Sequence, residues 1–170
     1  MADRALPPVR FQTFEEIAKR YPALDPQVMH AWVTMRQAQT RIELALELHL
    51  GRSDLSLGRF LVLVHLIRAE GHSLAPAQLA EFCGITRASI TGLVDTLEKD
   101  KHVVREVDPD DRRSVQVRLT VAGRRLIEHM LPDHFARIMK TMSGLTRAEL
   151  KTLQRLSEKV SAGAAALELP

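Results

Sequence analysis

The sequence predicts a mainly α-helical fold with a small β-wing: a winged helix-turn-helix carried between N- and C-terminal dimerisation helices. Three observations predict it. Residues 76–97 read as a short helix, a tight turn at Gly84 and a second helix. After Lys99-Asp100 the apolar period changes to two, with Val103 and Val107 flanking Arg105, and Val115, Val117 and Leu119 alternating beyond a basic tip. From Thr120 onward the apolar residues return to helical spacing.

The elements follow in chain order. Residues 1–10 hold Pro7 and Pro8 and are read as an unstructured lead. Thr13-Phe14-Glu15-Glu16 fits a capping box, so a short helix is expected to start at Thr13 and reach about Arg20. Asp25-Pro26 opens a second helix, Asp25 as cap and Pro26 at the first helical position, which should end near Gly51. Met35, Ile42, Ala45, Leu46 and His49 or Leu50 form its apolar set. Ser56 caps a third helix with a stripe of Leu57, Phe60, Leu61, Val64 and Ile67 or Leu66, ended by Gly71. Pro76 opens the fourth, through Phe82. Thr86 caps the fifth, whose stripe is Ile90, Leu93, Val94 and Leu97. Thr120 caps a long helix through Leu126, Ile127 and Met130, which Pro132 should kink or divide. Thr146-Arg147-Ala148-Glu149 is a second capping box, opening a last helix with Leu150, Leu153, Leu156 and Val160 on one face. These elements divide into N-terminal helices over 11–55, a central unit over 56–120 and C-terminal helices over 121–168, expected to form one integrated domain.

Composition bounds the function. A chain of 170 residues, 45% hydrophobic and 26% charged, can bury a real core, which excludes wholesale disorder. The formal charge of +3 is too small to identify a partner, so the position of the charges has to decide. One cysteine, Cys83, excludes an intrachain disulfide and fits a reducing compartment. With no signal-like apolar segment and no long apolar run, the expected location is the cytoplasm. The motifs of phosphate-binding loops, dinucleotide folds, serine hydrolases and zinc proteases are absent, so neither an enzyme nor a cofactor is expected. His129 and His134 are spaced wrongly for one helical face, and no metal site is expected.

The charge sits where a duplex would meet it. In the turn Cys83-Gly84-Ile85-Thr86, Gly84 supplies a left-handed helix end and Ile85 can plug the angle between the helices. The outer face of the second helix begins Arg87, Ser89 and Thr91, side chains suited to base edges in a major groove. Thr86 and nearby amides can hold a phosphate. The hairpin tip, Asp108-Pro109-Asp110-Asp111-Arg112-Arg113-Ser114, suits a type I turn that carries two arginines toward phosphate or a minor groove. Double-stranded DNA is therefore the expected partner; the alternative is a winged-helix protein-interaction module without sequence-specific DNA binding.

Thr86-Arg87-Ala88-Ser89, Leu93-Val94-Asp95-Thr96-Leu97-Glu98, the wing tip and Leu119-Thr120-Val121-Ala122-Gly123 resemble the core pattern of the MarR family of transcriptional regulators. The resemblance implies a homodimer on a pseudopalindromic operator, usually as a repressor. It implies that Arg113 enters the minor groove, that Asp111 orients it, and that Thr86, Arg87, Ser89, Thr91, Arg112 and Ser114 lie at the DNA. It implies dimerisation through the terminal helices, and release by a small effector, often an aromatic acid, held between those helices and the DNA-binding lobe. Trp32, Met35, Arg36, Phe60, Val64 and His65 are the candidate lining. One departure is Ala75 before Pro76, where the family carries a hydroxyl; losing such a cap costs about 1 kcal/mol. Cys83 stands where the family has an apolar residue and is read as a buried, inert thiol.

Overall fold

The structure, a computed structural model, describes residues 10–107 and 114–167. Among these, seven α-helices and three strands run in the order α1 (Phe11–Arg20), α2 (Pro26–Leu50), α3 (Leu57–Arg68), β1 (Ser73–Leu74), α4 (Pro76–Cys83), α5 (Arg87–Lys99), β2 (Val103–Val107), β3 (Val115–Leu119), α6 (Val121–Thr141) and α7 (Arg147–Gly163). This is the expected winged-helix plan, with local chemistry fixing most boundaries. Asp25 accepts from the Gln27 and Val28 amides at 2.8 and 3.2 Å, ahead of Pro26. Ser56, Thr86, Thr120 and Thr146 cap α3, α5, α6 and α7 through their side-chain oxygens. At α7 the box is complete: the Glu149 carboxylate takes the Thr146 amide at 2.7 Å and the Thr146 hydroxyl takes the Glu149 amide at 3.3 Å.

Four expectations are corrected. Helix α1 starts at Phe11, with Arg10 rather than Thr13 at its N-cap and no side-chain cap. The earlier start places Phe11 and Phe14 on one side, both against the His30 ring of α2, and Phe14 is buried. Helix α3 ends at Arg68, and Gly71 lies beyond it in a separate turn at φ +62°. Pro132 does not divide α6, which is helical from Val121 to Thr141. Proline removes one donor, for the carbonyl four residues back, and both Pro132 and Glu128 are solvent-exposed, where water can serve that carbonyl. The sheet has three strands in the order β1-β3-β2 rather than a lone hairpin, with Ser73 opposite Arg118 and Leu74 opposite Val117.

The core gathers around α3. Phe60, Val62, Leu63 and Leu66 are buried, and Leu57, Val64 and Ile67 pack against the same cluster, so α3 is covered nearly all round rather than along one stripe. It is wrapped by α2, α4, α5, α6 and the sheet. Buried partners include Leu50, Leu79, Ile90, Val94, Leu97, Val117 and Ile127. Gly58 lets α5 approach: a Cβ there would meet the Leu93 methyls at 3.0 and 3.2 Å.

Strand β3 hands over to α6 at a tight joint. The Thr120 amide donates to the His102 carbonyl at 3.1 Å, the Thr120 hydroxyl donates to the Lys101 carbonyl at 2.7 Å, and that hydroxyl also accepts from the Gly123 amide at 3.0 Å. A Cβ on Gly123 would overlap the His102 carbonyl group, whose carbon would lie 2.8 Å away. Only glycine fits, which gives a physical reason for Gly123 at the end of the Leu-Thr-x-x-Gly pattern. Gly123→Ala is expected to destabilise the fold by about 1–3 kcal/mol, read as a lower urea midpoint; an unchanged midpoint would mean that the His102 turn can move away freely.

Candidate nucleic-acid interface

Helices α4 and α5 are joined by Gly84 at φ +65°, in the left-handed region expected of it. The turn is closed by the Ile85 amide on the Ala80 carbonyl at 3.1 Å. Ile85 itself is 38% exposed at this turn. Ala75 gives α4 no side-chain acceptor, yet the Gln78 side chain accepts from the Ala75 amide at 3.0 Å. Half of a capping box therefore remains where the hydroxyl is missing.

Helix α5 buries Ile90, Val94 and Leu97 and turns Arg87, Ser89 and Thr91 to solvent. These exposed side chains are not equivalent. The Thr86 oxygen accepts from the Ser89 amide at 3.2 Å, and the two hydroxyls lie 2.9 Å apart, so Ser89 belongs to the cap as well as to the outer face. The Thr91 hydroxyl donates back to the Arg87 carbonyl at 3.0 Å and keeps acceptor capacity outward. No hydrogen bond to another side chain ties down the Arg87 guanidinium among the described residues. Ser114 is half-buried at the foot of β3, whose ladder with β2 runs as far as Val107 opposite Val115. Asp111, Arg112 and Arg113 lie outside the described residues.

The element that fixes α5 against the wing was not singled out in the sequence. Arg105 of β2 reaches two carboxylates on α5: Asp95 at 2.6 Å and Glu98 at 2.5 Å. Its backbone amide donates to Glu98 at 2.9 Å as well. That amide bond holds the Glu98 carboxyl below the usual range, against the opposing effect of burial and with help from the guanidinium. Asp95 and Glu98 are three apart and therefore share a helix face, so one planar guanidinium can span both. The sequence signal was present: two carboxylates three apart in Leu-Val-Asp-Thr-Leu-Glu and an arginine on the next strand. Arg59 of α3 adds a longer contact, 3.4 Å from Asp100 at the end of α5.

The six candidate ligand residues are spread over two helices. Trp32, Met35 and Arg36 are exposed on α2, Phe60 is buried in the core, and Val64 and His65 are half-buried on α3. Met35 lines an open groove of about 710 Å³ between α2 and Leu153 of α7. His65 lines a separate cleft of about 730 Å³ with Arg68, Gln78 and Phe82, where its ring stacks on Phe82 at 5.5 Å. Trp32, Arg36, Phe60 and Val64 line neither. Cys83 is half-buried and packs against the core, and burial pushes its thiol pKa up. Among the described residues no group of three or more histidine, cysteine or carboxylate side chains could hold a metal ion, and no helix is long and apolar enough to cross a membrane.

Arg105→Gln is expected to lower stability by about 1 kcal/mol, because the two carboxylates are partly solvent-exposed and their attraction is screened. The loss should shrink as salt is raised. Denaturation at low and high salt would read it, and a salt-independent loss would point to packing instead of charge.

Comparison with known proteins agrees with this geometry. The model of the MarR family matches residues 53–114. The transcriptional repressor YetL of Bacillus subtilis is 30% identical over 156 residues, covering 89% of this chain and 93% of that protein. The structure of Sco3205, a MarR family regulator from Streptomyces coelicolor in complex with DNA, superposes with a TM-score of 0.77 at 27% identity, over 82% of this chain and 89% of that one. BpsR of Bordetella bronchiseptica, whose DNA binding is regulated by 6-hydroxynicotinic acid, superposes with a TM-score of 0.67 at 29% identity, over 75% of this chain and 90% of that one. A relative of this identity over nearly the whole length, together with the superposition on MarR family structures, settles the assignment: the chain belongs to the MarR family of transcriptional regulators, which are DNA-binding proteins and not enzymes.

Proposed function

We propose that the protein is a homodimeric repressor that reads a pseudopalindromic operator and leaves it when a small aromatic acid binds. The observation that carries this reading is the presentation of α5: an N-terminal face of Arg87, Ser89 and Thr91 in solvent, capped by Thr86 and braced by Arg105. In this reading Arg87 and Thr91 reach base edges, while Thr86, Ser89 and the amides at the start of α5 meet phosphate. Arg113, oriented by Asp111, enters the minor groove, with Arg112 and Ser114 beside it. Residues 56–120 form the reader, and 11–55 with 121–168 make the dimer.

The dimer is supported by apolar surface that the single chain leaves uncovered. Helix α7 buries none of its residues, although Leu153, Leu156 and Val160 share one face. Helix α2 exposes Trp32, Met35 and Ile42, and α6 exposes Phe135, Ile138 and Met139. Exposed apolar residues gathered in this number on three helices are what an association surface would cover. Two copies joined there would set two α5 helices toward half-sites about one helical turn apart.

An effector at the joint between the dimer helices and the reader would act by changing that spacing. The groove beside Met35 lies among the dimer helices themselves, between α2 and Leu153 of α7, and is a second place for an effector, since a second copy would roof its open side. Trp32 and Arg36 lie on the same helix and supply an aromatic face and a cation; Phe60 and Val64 pack in the core and His65 lines the separate cleft with Arg68, Gln78 and Phe82, so these three do not share the groove. An aromatic carboxylate is the chemistry such a set would select. The relative BpsR, regulated by 6-hydroxynicotinic acid, supports that class.

Fluorescence anisotropy on duplexes flanking the protein's own gene, against scrambled DNA at several salt concentrations, tests the reading. The expected result is preference for one flanking duplex, with affinity falling steeply as salt rises. Arg113→Ala should weaken binding by about 1–3 kcal/mol, or about 5- to 150-fold in Kd. Arg87→Ala should also relax sequence preference, whereas a uniform loss across sequences would make Arg87 a phosphate contact. Aromatic acids are then screened for release. Equal, weak binding to selected genomic fragments and scrambled DNA alike would favour a protein partner for the wing.

A further inference from the structure

Two histidines far apart in sequence, His49 and His134, meet where α2 and α6 lie over α3. His49 stands at the last turn of α2 and His134 in the second half of α6. Their rings stack at 5.8 Å and 15°. Phe60 of α3 closes one side of His134 at 4.5 Å and Phe135 flanks it at 6.1 Å. His134 is only 8% exposed. The His134 Nδ1 and His49 Nε2 atoms are both buried and have no hydrogen-bond partner. Buried polar atoms are rarely left in this state, and it becomes more costly once the ring carries a charge.

The charges facing the pair are few. From α6 comes Asp133, whose carboxylate lies 3.7 Å from His49 Nδ1 and 2.8 Å from the Arg137 guanidinium that it also serves. From the segment after α2 comes Arg52, close enough to act on Asp133. Helix α3 contributes the uncharged Phe60 ring. Asp133 is thus shared among one histidine and two arginines. A proton on either imidazole sets a cation against the other ring, and a second proton would have no carboxylate of its own.

We infer that the His49–His134 pair is a proton-sensitive latch: neutral, it holds α2 and α6 together over α3; protonated, it loosens that joint and lowers operator affinity. The DNA limb of this inference rests on the operator-binding reading above; the latch itself does not. Burial, and then the neighbouring His49, pushes the His134 imidazole below the ordinary histidine range, with Asp133 pulling weakly the other way. The sign follows. Above about pH 6.5 the folded and unfolded chains both keep this ring neutral and it adds no pH dependence. As pH falls below that value, the unfolded chain takes up a proton that the folded chain resists, so stability falls with acidification. Each unit of depression corresponds to about a tenfold bias against the folded joint.

The test uses the protein of 170 residues between pH 7.5 and 5.5 at constant ionic strength, comparing wild type with His134→Phe and His49→Gln. His65, whose imidazole is likewise held below the ordinary range by burial and by Arg68, remains in all three proteins as an internal reference. Wild type should lose melting temperature on acidification, and His134→Phe should lose clearly less. Proton NMR of the imidazole Cε1–H should show the His134 midpoint rising in His49→Gln, where the like-charged neighbour is gone. Matching pH dependence of melting in wild type and His134→Phe, or a His134 midpoint indifferent to His49, would overturn the latch. These two readouts need no DNA, so they stand if operator binding fails. On an operator duplex, wild type should lose more affinity on acidification than His134→Phe; identical pH profiles would overturn the regulatory limb. Should His134→Phe fail to fold, the His49→Gln titration alone decides.

Discussion

The burial of α3 is the constraint on which the rest of the structure depends. A short helix covered on almost every side must be apolar nearly all round, and Phe60, Val62, Leu63 and Leu66 satisfy this. Because α2, α4, α5, α6 and the sheet all rest on it, their relative positions are coupled through one densely packed element. The fold links the exposed apolar side chains of α2 and α6 to the outward face of α5 through a single shared core.

Polar contacts then set orientation within that packing. Hydrophobic burial holds α5 by Ile90, Val94 and Leu97 but leaves its roll weakly specified. Arg105 removes the freedom by bridging Asp95 and Glu98 from the adjacent strand. Similarly, Thr120 and Gly123 fix the angle at which α6 leaves the sheet, through hydrogen bonds to one turn and a contact too close for any Cβ. The outward side chains of α5 thus project from a helix whose axis and roll are both determined.

The joint between α2 and α6 is of a different kind. Its two imidazoles keep buried nitrogens without partners, whereas the clamp at Arg105 satisfies its charges. A satisfied clamp makes a rigid reader. In the proposed latch, this unsatisfied contact is the one that loosens on protonation.

The sequence by itself determined the identity of nearly every element, because the signals are local. Asp25-Pro26, Ser56, Thr86, Thr120 and Thr146 act on amides within three residues, and Gly84 acts on its own φ. The change of period after Asp100 marked the wing for the same reason. The Thr13 cap was misread because the aromatic packing of Phe11 and Phe14 against α2 outweighed a local hydrogen bond. Only the tertiary structure decided which residues meet across the chain. It paired Ser73 and Leu74 with β3, buried α3 all round, gave Arg105 its carboxylates, separated Met35 from His65, and stacked His49 on His134. Such contacts join residues far apart in sequence, and periodicity within one element carries no information about the partner it will face.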